Sequence, residues 1–126
     1  MNVRAPVKKA RGLGSAKDGT HHFWTQRLTG LALVPLLIWF VASLVALVGA
    51  PYIEVVAWIA RPFNALVLLL AIVALSWHSM LGLQVVVEDY VHTGWLKLTI
   101  LITLTFAHVA LGAAAAFAVL RIGFAS

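Results

Sequence analysis

The sequence predicts an all-α integral membrane protein with three transmembrane helices, and three observations carry that prediction. Hydrophobic residues make up 63% of the chain and charged residues 10%, with a mean hydropathy of +1.01, a balance that leaves too little polar surface to coat a water-soluble globule. The apolar residues gather into three long runs, 28–48, 63–87 and 98–120. Each is long enough to cross about 30 Å of hydrocarbon as a helix. Lysine and arginine are also spread unevenly about those runs. With 126 residues the chain reads as one domain, divided into a basic N-terminal tail, 1–27, and a three-helix anchor, 28–126. It has no cysteine, which excludes disulfides, thiolate catalysis and thiolate-held clusters within it.

The tail carries Arg4, Lys8, Lys9, Arg11, Lys17 and Arg27 against one acid, Asp18. A basic start before an apolar run could open a signal peptide. No small-residue cleavage pattern follows, however, and the run from Leu28 to Val48 has 21 residues, so it reads as a retained transmembrane helix. As a nucleic-acid arm the tail is short and only moderately basic; a positive-inside anchor is the better reading, with no nucleic-acid partner. The stretch RGLGSAKDG follows no strand and lacks the glycine spacing of a dinucleotide loop, so it reads as flexible tail. Asp18 or Thr20 is placed to cap a short turn leading into His21, His22, Phe23 and Trp24, with Trp24 at headgroup depth.

Pro35 falls inside the first run and removes one backbone donor there, which predicts a modest kink. Arg27 sits at the lip of the hydrocarbon, where a guanidinium can snorkel to water or hold an anionic or carbonyl oxygen. Between Gly49 and Pro62 the composition changes. Pro51 and Pro62 bracket a segment with Glu54, Trp58 and Arg61, read as a small interfacial helix that anchors the far side. The second run, from Phe63, has 25 residues, and the brief EDYVHTGWLK that follows it allows only an antiparallel return into the third. Three spans place the termini on opposite sides. The side with the tail and the second turn holds seven basic residues, Arg4, Lys8, Lys9, Arg11, Lys17, Arg27 and Lys97; the other holds Arg61 and Arg121. That bias predicts an N-terminus in the cytoplasm or its topological equivalent. The alanine-rich third span, with Gly112 before Ala113 to Ala116, offers a face for close helix packing, and so small a bundle points to partner subunits.

The chemistry concentrates in SWHSMLGLQVVVEDYVH, where a nearly unbroken apolar run carries His78 and ends in Asp89 and Tyr90. On a helix the eleven residues between His78 and Asp89 return the two side chains to nearly one face, roughly 16 Å apart. Gly82 leaves a gap between them where a flat group or another helix can approach. An ionisable group in mid-membrane is read as functional, and an imidazole suits iron as a haem axial ligand. His108 is at comparable depth, since the two histidines are symmetric about the Thr93–Gly94 turn. At the helix end Tyr90 can donate to a quinone oxygen while Asp89 orients the donor or relays protons. Two alternatives stand beside a shared-haem anchor: a stand-alone small cytochrome that uses His78 and His108, and a haem-free structural or assembly subunit of a membrane redox complex.

Two motifs carry a family likeness. Gly19, His21, Arg27 and Thr29 open the first helix, and His78, Gly82, Val86, Asp89, Tyr90 and Val91 form His-x-x-x-Gly-x-x-x-Val-x-x-Asp-Tyr-Val. Over about 19–124 the chain resembles the hydrophobic membrane-anchor, or D, subunits of succinate dehydrogenase, complex II, of bacterial or mitochondrial type. The resemblance implies a non-dehydrogenase subunit of a succinate:quinone oxidoreductase in the bacterial cytoplasmic or mitochondrial inner membrane. It maps the haem b ligand to His78 and the ubiquinone-site pair to Asp89 and Tyr90. Arg27 and His21 would lie near a haem propionate or the quinone pocket, with His22 where some relatives have an acid, so either histidine could serve. Its implied partners are a cytochrome b (C) subunit that supplies the other axial histidine, an iron–sulfur subunit and a flavoprotein, with FAD and iron–sulfur clusters held only by the last two.

Overall fold

The computed structural model describes the backbone over 15–125 and the side chains over 20–125; the rest of the basic tail, with the side chains of Lys17 and Asp18, lies outside the described residues. Among the described residues four helices follow in order: α1 Ser15–Ala46, α2 Tyr52–Ala60, α3 Pro62–Tyr90 and α4 Gly94–Phe124. There is no strand among the described residues. α1, α3 and α4 supply three segments long and apolar enough to cross a membrane, Thr20–Ala46, Pro62–Tyr90 and Gly94–Phe124. In hydrocarbon each unpaired backbone N–H or C=O is costly, and a helix pairs them all within one segment. The helices run past the apolar stretches because polar residues at the interface gain the same backbone bonds. Thr20 therefore lies inside α1 rather than at its N-terminus, and Pro35 lies within a helix that continues through it.

The connections follow from their residues. Gly49 takes a φ of 79°, a conformation that costs glycine nothing, and the turn is closed by the Ala50 N–H donating to the Leu47 carbonyl at 3.0 Å. Arg61 is extended, as a residue before proline tends to be, and Pro62 occupies the start of α3, where its missing N–H would have no helical partner anyway. Asn64, 8% exposed, donates from Nδ2 to the Trp58 carbonyl at 2.8 Å and ties α2 to α3. Trp58 in turn stacks on Trp39 of α1, ring centroids 5.4 Å apart. The short helix is thus fastened to both of its neighbours in sequence.

α3 is the middle helix. It packs against both α1 and α4, whose Cα atoms come nowhere within 8 Å of each other among the described residues. On one side Gly30 of α1 meets His78 while Gln26 meets Gly82; on the other Gly112 of α4 meets Ser76, Gly123 meets Ala65, and His108 bonds Ser79. Each step down one helix is matched by a step up its neighbour, so both pairs are antiparallel. The buried hydrophobics are Leu33, Leu68, Leu81, Val87 and Val119. Few large side chains are buried among the described residues, which leaves much apolar surface open to lipid or to other subunits. Small residues govern how closely the helices approach, since lipid offers no hydrophobic drive for their association. At Gly112 a Cβ would come within 3.1 Å of the Ser76 hydroxyl.

Asn64 gives a direct check on this corner. Asn64→Leu keeps most of the volume and removes the donor to Trp58, which should cost about 1 kcal/mol. In nanodiscs, thermal unfolding followed by tryptophan emission should show a lowered midpoint. An unchanged midpoint would show that the Asn64–Trp58 bond contributes nothing net.

Candidate functional site

α1 carries a polar stripe inside an apolar helix. His22, Gln26 and Thr29 are spaced by four and three residues and therefore share one face. α3 presents His78, Gly82 and Val85 to that face, and these three line a groove of about 590 Å³ together with His22, Phe23, Gln26, Arg27, Gly30 and Leu31. His78 is half-buried, with its Nδ1 3.1 Å from the Thr29 hydroxyl. That hydroxyl also reaches the carbonyls of Thr25 at 2.8 Å and Gln26 at 3.1 Å. A Cβ on Gly30 would lie 3.2 Å from His78 Cε1, a tight contact to which the ring would have to yield by a few tenths of an ångström. The gap expected at Gly82 is met by Gln26, whose Nε2 would stand 3.8 Å from an added Cβ.

Two polar atoms on the α1 side are buried without a hydrogen-bond partner, His22 Nε2 and Gln26 Oε1. Such atoms carry a desolvation cost of roughly 1–3 kcal/mol until something pairs with them. Of the two adjacent histidines, His22 lines the groove whereas His21 is exposed and outside it. Arg27 is exposed at the groove, its guanidinium carbon 4.8 Å above the centre of the Phe23 ring. That contact holds a cation in place over an aromatic face. Asp89 and Tyr90 close α3 and are exposed, Tyr90 to 79%. Neither lines the groove. Asp89 continues the His78–Gly82 face one turn beyond Val85, roughly 16 Å from His78 along the axis.

His108 is held differently. Its Nδ1 lies 2.8 Å from the Leu104 carbonyl and its Nε2 lies 3.1 Å from the Ser79 hydroxyl. A carbonyl only accepts, so Nδ1 carries the proton and Nε2 holds the lone pair, beside a serine hydroxyl whose one hydrogen it shares as an acceptor with the Ser76 carbonyl, 3.2 Å from the serine oxygen. His108 thus has both nitrogens engaged, in a separate cavity of about 390 Å³ shared with Trp77 and Met80. The pairing of His78 with His108 expected for a stand-alone cytochrome is not formed. Their depths match, but neighbouring residues on a helix point about 100° apart, so His78 faces α1 while Ser79 turns to α4. Thr29, Gly30 and Gln26 gain their roles only here. Their signal in the sequence was a polar stripe of helical period within an apolar segment.

The family model described as succinate dehydrogenase/fumarate reductase transmembrane subunit matches residues 1–120. A succinate dehydrogenase hydrophobic membrane anchor subunit of Rickettsia bellii (strain RML369-C) is 37% identical over 102 residues, covering 80% of this chain and 81% of the relative. Its namesake in Paracoccus denitrificans is 32% identical over 123 residues, covering 98% of this chain and 95% of the relative. A succinate dehydrogenase membrane anchor subunit of Reclinomonas americana is 30% identical over 79 residues, 60% of this chain and 66% of that one. A family match of this extent, with anchor subunits similar over most of their length, shows that the chain belongs to the succinate dehydrogenase/fumarate reductase transmembrane-subunit family, as a membrane anchor rather than a dehydrogenase subunit.

Proposed function

We propose that this anchor holds haem b through His78, with the second axial histidine supplied by a companion cytochrome b (C) subunit, and that Asp89 and Tyr90 serve ubiquinone reduction. The observation that carries the reading is the state of His78. It stands well inside a membrane-spanning helix, its Nδ1 is engaged by Thr29, and its Nε2 makes no hydrogen bond among the described residues. The donor set fits the group. No three His, Asp or Glu side chains gather into a bare-ion site among the described residues, whereas a porphyrin brings four nitrogens of its own and asks each side for one imidazole. Among the described residues only α1 and α3 line the groove, so a second subunit can close it. Arg27 and His22 lie along it, and their nitrogens suit the propionates. Haem held there would supply a one-electron carrier near the quinone.

Tyr90 can donate its phenolic hydrogen to a quinone oxygen as charge develops there, and Asp89 can orient that donor or pass protons from water. The ring would meet them at shallow depth while the isoprenoid tail stays in lipid. The seven-to-two basic bias supports an N-terminus, and with it the Asp89–Tyr90 end of α3, on the cytoplasmic or matrix side of a bacterial cytoplasmic or mitochondrial inner membrane. There an iron–sulfur subunit can dock and deliver electrons from a flavoprotein. FAD and iron–sulfur clusters belong to those partners.

Three outcomes are expected. His78→Ala should abolish the low-spin haem spectrum of the purified complex while the dehydrogenase subunits still bind; haem retained unchanged would move the ligand elsewhere. Tyr90→Phe should lower quinone-linked activity roughly a hundredfold, about 3 kcal/mol, with Asp89→Asn also impaired and dye-linked succinate oxidation near normal in both. An unchanged ratio of the two activities would leave the pair as helix-end residues. Because the chain has no native cysteine, topology can be read by labelling. Tyr52→Cys should react with an impermeant maleimide in intact spheroplasts and Thr93→Cys only after permeabilisation; the reverse pattern would invert the orientation.

A further inference from the structure

We infer that Thr29 is a positioning residue that fixes both the tautomer and the ring orientation of His78, so that the Nε2 lone pair faces the groove. This rests on the haem assignment above and adds to it what this chain does to the ligand. The Thr29 hydroxyl has one hydrogen, and the carbonyls of Thr25 at 2.8 Å and Gln26 at 3.1 Å are acceptors that compete for it. With that hydrogen donated along its own helix, the oxygen meets His78 Nδ1 at 3.1 Å as an acceptor. Nδ1 must then carry the ring proton, and a neutral imidazole so protonated has its lone pair on Nε2. The opposite tautomer would set two lone pairs against each other unless Thr29 gave up its backbone bond.

Ring orientation has a second, independent restraint one residue along. The absent Cβ of Gly30 leaves room for the imidazole edge, with Cε1 3.2 Å and Nδ1 3.6 Å from where that atom would be. Thr29 and Gly30 thus hold the ring from one turn of α1, by a hydrogen bond and by a close contact. His108, at matching depth in α4, is held differently. Leu104 takes the hydrogen on its Nδ1, and its Nε2 lies 3.1 Å from the Ser79 hydroxyl, whose one hydrogen also has the Ser76 carbonyl in reach at 3.2 Å. One chain therefore holds two histidines at matched depth, one whose Nε2 makes no hydrogen bond among the described residues and one whose Nε2 stands beside a hydroxyl.

Outer-shell partners of metal-bound histidines orient the ring, and their loss typically costs about 10–100-fold in affinity. Thr29→Val keeps the branched shape and removes the acceptor, whereas Thr29→Ser keeps the acceptor. In the assembled complex, Thr29→Val should speed haem loss to apomyoglobin about 10–100-fold. It should also raise the haem midpoint potential, because an imidazole that no longer donates from Nδ1 is a poorer electron donor to ferric iron, and shift the largest electron paramagnetic resonance g value. Thr29→Ser should return all three toward wild type. Wild-type values in Thr29→Val, or equal losses in the Val and Ser variants, would overturn the assignment. Nitrogen-15 spectra of the full chain in haem-free nanodiscs test the bond without the cofactor: they should show His78 protonated on Nδ1 in wild type and in Thr29→Ser, with mixed tautomers in Thr29→Val. A Nε2-protonated His78 in wild type would contradict it. Haem kept unchanged in His78→Ala would instead remove the parent assignment, while the nitrogen-15 result would still stand on its own.

Discussion

The approach of α1 to α3 at Gly30 and His78 is the contact on which the rest of the arrangement depends. An imidazole in hydrocarbon needs a partner for its N–H, and a half-buried ring needs room beside a helix backbone. Thr29 supplies the first and Gly30 the second, from successive positions on one helix. Once they meet His78 the register of the pair is set, and Gln26 falls opposite Gly82 one turn away. The same register carries His22 toward the helix-end region where Asp89 and Tyr90 stand.

α3 bears the burden of the architecture because, among the described residues, it packs closely against both other long helices. Its two sides are specialised. Toward α4 it shows Ser76 and Ser79, which meet Gly112 and His108 in close, hydrogen-bonded packing; toward α1 it shows His78 and Gly82, bordering a groove. The described residues bury few large side chains. A groove lined by only two helices suits an anchor that packs within a larger complex. The unpaired His22 Nε2 and Gln26 Oε1 belong to the same logic, since their desolvation goes uncompensated until a ligand or subunit pairs with them.

Much of the fold was legible because hydrocarbon imposes a coarse rule, long apolar runs between charged or turn-forming residues, and the runs at 28–48, 63–87 and 98–120 obey it. Helix ends were not. Ser15, Gly94 and Tyr90 bound helices through polar residues that hydropathy assigns to tail or loop. His78 stood out as an ionisable group in an apolar run, and Asp89 as its partner in phase. The depth of His108 could also be read by counting from the Thr93–Gly94 turn, but counting gives height along the bundle and says nothing of azimuth. That is why two histidines at one level face different helices. Thr29 and Gly30 were visible as residues near a motif, and only the interhelical register brings the Thr29 hydroxyl to His78 Nδ1 and the Gly30 backbone to the ring edge.

Whether His78 offers its Nε2 to a haem iron in the α1–α3 groove can be read from a cryo-electron-microscopy map of the complex assembled with its native partners, at a resolution that defines the imidazole plane. Continuous density is expected from His78 Nε2 to a porphyrin-bound metal, with Thr29 Oγ1 still beside Nδ1 and a second histidine from another chain across the ring. A map in which His78 Nε2 is hydrogen-bonded to protein or lipid, with the groove filled by a helix of a neighbouring subunit, would overturn the haem assignment.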